Sequence, residues 1–214
     1  MQRQITLLLL IRAIRAFLLI MPVITLYWLD VGLSMQDIFI LQVIFSVAIV
    51  VLEVPSGFFA DRFGRKYSLM IGMVFGTLGY LAYAVASGFW EFALAELLLA
   101  VSISFISGAD SAFLYDTLKQ YNATARHTKI EGRILALARL SEASAAILGG
   151  FIATVFSLTA VLYTQFFIMA LAIPLTMMLV EPLRAIEQKQ RKDIKGALRF
   201  ALRENRAVLY MNIF

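Results

Sequence analysis

The sequence contains no cysteine and a single histidine, His127. Without cysteine, neither a disulfide bond nor a thiolate metal site can form. One histidine in a polar stretch gives no basis for a histidine metal site. No nucleophile–base pair and no phosphate-binding loop appears among the remaining residues. We therefore expect neither an enzyme nor a protein with a bound cofactor or metal ion.

Charge is also scarce, and apolar residues take its place. Only 15% of the residues are charged and 61% are hydrophobic, whereas about a quarter of the residues of a soluble domain are charged. The apolar runs are long rather than short and alternating, which predicts an all-α protein embedded in the lipid bilayer. The net charge of +5 does not indicate nucleic acid as a partner, because the basic residues cluster between the apolar runs.

Six apolar stretches each approach the roughly 20 residues that a membrane-spanning helix requires. The first is interpreted as a retained membrane helix rather than a signal peptide, because no small-residue cleavage pattern follows it. In the third, Gly72, Gly76 and Gly79 should allow a neighbouring helix to approach closely. The Glu181-Pro182 step should end the sixth. The predicted spans are residues 5–29, 35–58, 67–86, 90–116, 133–156 and 160–180.

Basic residues are confined to alternate connections between these spans. The connections 30–37, 87–91 and 157–159 contain no Lys or Arg, whereas the two other connections and the tail after residue 182 are basic. The positive-inside rule then places the N-terminus, both basic connections and the tail in the cytoplasm. We expect a multi-pass protein of the cell (inner) membrane.

A ten-residue loop between the second and third predicted spans, residues 57–66, reads GFFADRFGRK. Its basic residues mark the cytoplasmic face, its two glycines allow a tight turn, and Asp61 lies where its charge couples to helix dipoles. The pattern G-x-x-A-D-R-x-G-R-K, with Leu69 three residues on, resembles the loop 2–3 signature of the major facilitator superfamily of secondary transporters. Phe59 stands where that family usually has leucine.

The resemblance implies a transporter of small solutes that works by alternating access. Family members usually have twelve spans in two six-helix halves, each half a 3+3 inverted repeat. Residues 1–182 resemble the N-terminal bundle, and residues 183–214 resemble the basic cytoplasmic linker and the start of a seventh span. We expect a truncated or half-length form whose partner is the missing C-terminal half or a complementary half. The alternative is a transport-inactive membrane scaffold or assembly partner.

The resemblance also implies roles for the loop residues. Asp61 and Arg65 would join a charge network between helices that latches the two halves in the outward-facing state. Three further residues near the ends of the fourth and fifth spans are candidate partners in that network: Asp116, Glu131 and Arg133. The gating motif comprises Gly57, Asp61, Arg62, Gly64, Arg65 and Lys66.

Six charged side chains lie within the predicted spans at roughly 5–17 Å from the cytoplasmic end of their helix. A charge in hydrocarbon costs at least a few kcal/mol, so these side chains should face a wet cavity or one another. For Arg12, a structural or snorkelling role is favoured, and for the i,i+3 residues Arg139 and Glu142 a mutual pair is favoured. Arg15, Glu53 and Asp110 remain open between a transport path and an ion-pair network.

Glu96 differs because it lies on the outer half of the fourth span, where the chain offers no Lys or Arg to pair with it. Burial disfavours the charged form of a lone carboxyl, so Glu96 should be mostly neutral. That makes it a hypothetical carrier of a coupling proton. A solvated carboxylate facing a cavity, or one paired with the missing half, is equally admissible.

Two other family patterns are incomplete in this sequence. On the fourth span, the proton-linked pattern R-x-x-x-G would need arginine at Ser104, ahead of Gly108. On the fifth span, the antiporter pattern G-P-x-x-G-G keeps only Gly149 and Gly150, which we expect to serve close helix packing. The stretches 53–57 and 108–113 nevertheless resemble bacterial facilitators of the multidrug-efflux type.

Overall fold

A computed structural model describes residues 1–182, so the predicted linker and seventh-span start at 183–214 lie outside the described residues. The described part is helical and contains no strand, which confirms the all-α prediction. A short 3-10 turn at Thr124–Arg126 precedes the sixth helix. The helices are α1 (Gln2–Ala16), α2 (Ile24–Asp30), α3 (Met35–Phe63), α4 (Arg65–Val85), α5 (Phe89–Gln120), α6 (His127–Val155), α7 (Leu158–Ala170) and α8 (Ala172–Met177).

Five of the six predicted spans are long and apolar enough to cross a bilayer. They are formed by α3, by α4, by α5, by α6 with its preceding turn, and by α7 together with α8. Leu171 alone separates α7 from α8. Pro174 explains this interruption, because proline lacks the N–H group that would donate to the carbonyl of Ala170.

The prediction that one continuous helix forms the first span is wrong. The chain there forms α1, of 15 residues, and α2, of 7 residues, with a turn at residues 17–23 between them. Pro22 gives the physical reason. In a continuous helix its ring would clash with the carbonyl of Leu18, and it has no N–H group to donate to that carbonyl. The first crossing is therefore built from two short helices.

Two later helices hold this turn in place. The backbone N–H of Leu19 donates to Oε1 of the fully buried Gln165 in α7 at 2.7 Å. Gly149 in α6 lies so close to the turn that a Cβ atom there would be 2.1 Å from the carbonyl oxygen of Leu19. The turn between α1 and α2 is thus packed directly against α6 and α7.

The prediction of a ten-residue loop at 57–66 is also wrong. Helix α3 continues through Phe63, and Gly64 alone separates it from α4. Gly64 has a φ of +130°, a conformation that glycine adopts readily and other residues avoid. Gly57 lies inside α3, so the turn requires one of the two glycines and not both.

The predicted close approach of a helix to the glycines of α4 is confirmed. A Cβ atom at Gly72 would lie 2.3 Å from Cγ1 of Ile106 in α5, and one at Gly79 would lie 2.7 Å from Leu99 in the same helix. The Ser102 hydroxyl donates to the carbonyl of Gly72 at 2.6 Å. Helix α5 also packs against α3, and α4 packs against α7, so α4 and α5 form the centre of the bundle.

The helix ends that carry basic residues meet at one end of the bundle, which we call the basic end. The start of α1 and the end of the last span are neighbours there, because the N–H of Val180 donates to Oε1 of Gln4 at 3.0 Å. The end of α3, the start of α4 and the end of α5 lie at the same end, as the ion pairs below demonstrate. The positive-inside rule predicts that the basic end faces the cytoplasm.

Candidate functional site

Three charged side chains join three helices at the basic end, and we call them the gate cluster: Asp61, Arg65 and Asp116. Nε of Arg65, at the start of α4, donates to Oδ2 of Asp116, near the end of α5, at 2.6 Å. A terminal nitrogen of Arg65 lies 3.7 Å from Oδ1 of Asp61, in the last turn of α3. The pairing of Arg65 with Asp61 and Asp116 that the family resemblance implied is therefore present in the structure.

Glu181 completes the surroundings of this cluster. The prediction from the sequence was only that the Glu181-Pro182 step ends the sixth span. Its two carboxylate oxygens accept the backbone N–H groups of Arg65 at 2.8 Å and Lys66 at 2.7 Å. Both N–H groups belong to the first turn of α4, where a helix has no internal acceptor for them and favours a negative charge. The Lys66 ammonium in turn donates to the carbonyl of Met177 at 2.8 Å. The end of the last span is thus attached to the gating motif.

The other members of the motif have different surroundings. The guanidinium of Arg62 lies 5.6 Å from the ring centre of Phe63, a cation–π contact. A Cβ atom at Gly57 would meet nothing within 4 Å, so no neighbour requires glycine at that position. Gly64 is required by its backbone conformation and by the closeness of Glu181.

A second group of charges, which we call the arginine cluster, joins α1, α5 and α6: Arg12, Arg15, Asp110 and Glu131. The two terminal nitrogens of Arg12 donate to the two carboxylate oxygens of Glu131 at 2.6 and 3.3 Å. Asp110 pairs with both arginines: its Oδ2 accepts from a terminal nitrogen of Arg15 at 3.1 Å, and it forms an ion pair with Nε of Arg12 at 3.2 Å. Two positive and two negative charges therefore neutralise one another inside the bundle.

The arginine cluster corrects two expectations about α6. Glu131 pairs with Arg12 rather than with Arg65, and it also accepts the Ser111 hydroxyl at 2.8 Å. Arg133 is exposed and makes no ion pair among residues 1–182. Residues two apart on a helix point in nearly opposite directions, so Glu131 and Arg133 cannot serve the same neighbour. Arg12 contacts both carboxylates of the arginine cluster, and its side chain is only 12% exposed. These contacts agree with an ion-pair network rather than with snorkelling, so a structural role for Arg12 stays a prediction.

The remaining predicted charges of the fifth span lie apart from both clusters. Arg139 donates to Glu142 at 2.7 Å, so the mutual pair that their spacing predicted is formed. Both side chains are exposed, to 69% and 44%.

His127, at the start of α6, has Nε2 at 3.8 Å from Oε1 of Glu131. Within residues 1–182, no group of three or more His, Cys, Asp or Glu side chains is placed to hold a metal ion.

Glu96 lies inside the bundle toward the end opposite the basic end. Its residue is only 4% exposed, so the solvated alternative does not fit. Its Oε1 accepts the hydroxyl of Tyr83 in α4 at 2.5 Å and the side-chain amide of Gln42 in α3 at 3.1 Å. The sequence did not indicate these two partners. The signal that could have identified them is that Gln42 and Tyr83 are polar residues at a depth similar to that of Glu96 on the second and third spans.

Glu53 on α3 belongs to neither cluster. It is exposed, and among residues 1–182 its carboxylate has no ion pair and no hydrogen bond. Its backbone carbonyl accepts a hydrogen bond from the hydroxyl of Ser56 at 3.1 Å.

Comparison with known proteins agrees with the helical membrane architecture and with the gating motif. No curated protein matches the chain. The family model described as Major Facilitator Superfamily matches residues 5–214. That match covers nearly the whole sequence, includes the gate cluster and both glycines of the motif, and confirms the resemblance that residues 57–66 indicated. The chain belongs to the major facilitator superfamily of membrane transporters.

Proposed function

We propose that this chain moves a small solute across the cell membrane by alternating access, as a secondary active transporter. Residues 1–182 would act as the N-terminal six-helix bundle, and residues 183–214 as the linker and the start of a seventh span. The stretches 53–57 and 108–113 favour solute efflux of the multidrug type. The partner bundle would be a second six-helix half.

The gate cluster is the observation that carries this proposal. It connects the ends of three helices through one arginine at a turn of a single residue. Ion pairs confined to one end of a bundle stabilise whichever state closes that end, and they can break when the end opens.

The exposed surfaces of α3 and α6 support a second six-helix partner. Helix α3 buries few side chains inside the bundle, and its exposed residues include Val43, Val47 and Val54. Helix α6 is similar, with Ile147 and Phe151 exposed. In a transporter these two helices would face lipid on one side and the partner bundle with the transport path on the other.

A flux experiment tests the proposal against the scaffold alternative. The full chain is reconstituted in vesicles, alone and together with a six-helix C-terminal half from the same family. We expect flux of the fluorescent cation ethidium above that of empty vesicles when both halves are present. An anionic dye and a neutral dye are tested in parallel. If the protein inserts correctly but none of the three dyes crosses the membrane, the result favours the scaffold.

The coupling ion is proposed to be a proton carried by Glu96. The carboxyl is buried, has no cationic partner among the described residues and is held by two neutral donors. Replacing Glu96 with Gln keeps the shape of the side chain and removes its proton. We expect the variant to transport at a rate that no longer varies with pH, while the wild-type rate does. An unchanged pH dependence in the variant excludes Glu96 from coupling.

A further inference from the structure

The charges inside the described bundle balance, with one exception. Arg12 and Arg15 are neutralised by Asp110 and Glu131, as the distances in the arginine cluster establish. Arg139 and Glu142 neutralise each other on the exposed side of α6. Glu96 is a buried carboxyl held by neutral hydrogen-bond donors. Of Glu96 and the six ionisable residues predicted at roughly 5–17 Å inside the spans, Glu53 alone has no partner for its ionisable group among residues 1–182, and its charge is negative.

Glu53 belongs to a polar face that runs along α3. Gln42, Ser46 and Glu53 are all exposed, and at 3.6 residues per turn they fall within an arc of about 40°. The rise per residue separates the first and last of them by about 16 Å along the helix. We call these three residues the α3 polar face.

The two sides of α3 that flank this polar face differ from each other. The buried Ile38 and Ser56 lie on one side, where the helix packs against the bundle. The exposed apolar residues Val43, Val47 and Val54 lie on the other side. A carboxylate in hydrocarbon is costly, so a polar strip beside an apolar one indicates contact with water or solute rather than lipid. We therefore expect the α3 polar face to contact water or solute.

The outer end of the α3 polar face also meets a carboxyl. The side-chain amide of Gln42 donates to Glu96 at 3.1 Å. The face thus has a carboxyl at each end, and among residues 1–182 no lysine or arginine pairs with either. Its charge complements a positively charged solute.

We propose that the α3 polar face forms one wall of the transport path and that Glu53 binds a cationic solute there. This inference rests on the proposed function and adds its substrate class. The cation supplies the counter-charge that the described residues do not give to Glu53. Gln42 and Ser46 contribute neutral polar groups along the same wall.

The test measures binding separately from flux. The full chain in lipid nanodiscs is titrated with ethidium and with tetraphenylphosphonium, two monovalent organic cations, and with the anion carboxyfluorescein. We expect Glu53→Gln to weaken binding of both cations about tenfold or more and Glu53→Asp, which keeps the charge, to retain most of it. Because Glu53 is exposed, the glutamine variant should fold normally, and its elution as a single species checks this.

The outcomes separate the inference from the proposed function. Cation binding that is equal in wild type and Glu53→Gln, or that is absent in wild type, overturns the inference. Preferential binding of carboxyfluorescein also overturns it. If the cations bind through Glu53 but no flux occurs with a partner half, the proposed transport function fails while the cation site stands.

Discussion

Asn in place of Asp116 or of Asp61 should abolish transport while leaving membrane insertion intact. Each change removes one of the two carboxylates that Arg65 contacts, at 2.6 Å for Asp116 and 3.7 Å for Asp61. The contact with Asp116 is a hydrogen bond between charged groups, which contributes about 1.5–3 kcal/mol. The contact with Asp61 is a longer and more exposed ion pair, which contributes about 1 kcal/mol or less. A loss of about 1.4 kcal/mol shifts a two-state equilibrium tenfold, so the state with a closed basic end would lose most of its population.

Measurement of flux at matched expression distinguishes this effect from loss of protein. Lys119→Gln is the matched control, because Lys119 lies in the last turn of the same helix as Asp116 and makes no ion pair in the described part of the chain. The control should transport at the wild-type rate. Wild-type flux in a correctly inserted Asp116→Asn variant would show that the gate cluster does not act as a latch.

The transmembrane architecture could be read from the sequence because hydropathy reports directly on contact with lipid. The glycines of α4 were equally readable, since small residues on one face allow close helix approach. Helix ends were not readable in the same way. Helix α3 extends through polar residues to Phe63, because a helix need not stop where the hydrocarbon stops. The break in the first crossing stayed hidden behind continuous hydrophobicity, although Pro22 was a signal for it.

The candidate site was predictable as a set of residues but not as a set of pairs. The charges on α1, α5 and α6 were identified from the cost of burying them, and the pairing of Arg139 with Glu142 followed from spacing on one helix. The pairing of Glu131 with Arg12 depends on how α6 is rotated against α1. The same holds for Glu96 with Gln42 and Tyr83. Sequence periodicity fixes positions within one helix, and the rotation between helices comes from packing.

The two adjacent glycines of α6 should respond in opposite directions to the same substitution. A Cβ atom at Gly149 would lie 2.1 Å from the carbonyl oxygen of Leu19, whereas one at Gly150 would meet nothing within 4 Å. Overpacking costs about 1–3 kcal/mol, and the obstacle here is backbone rather than a flexible side-chain end. Gly150→Ala should be neutral or stabilising by up to about 1 kcal/mol, because alanine favours a helix more than glycine does.

Thermal unfolding in detergent measures this contrast, with Gly150→Ala as the matched control for Gly149→Ala. We expect a clear fall in the unfolding midpoint for Gly149→Ala and none for the control, and equal midpoints would contradict the packing that holds the turn at 17–23. The effect should extend to the arginine cluster, because Arg15 lies in the last turn of α1, directly before that turn. Moving Leu19 away from α6 would also stretch its 2.7 Å hydrogen bond to Gln165. Displacement of the turn would then draw Arg15 from Asp110, so Gly149→Ala should lower flux beyond what the loss of folded protein explains.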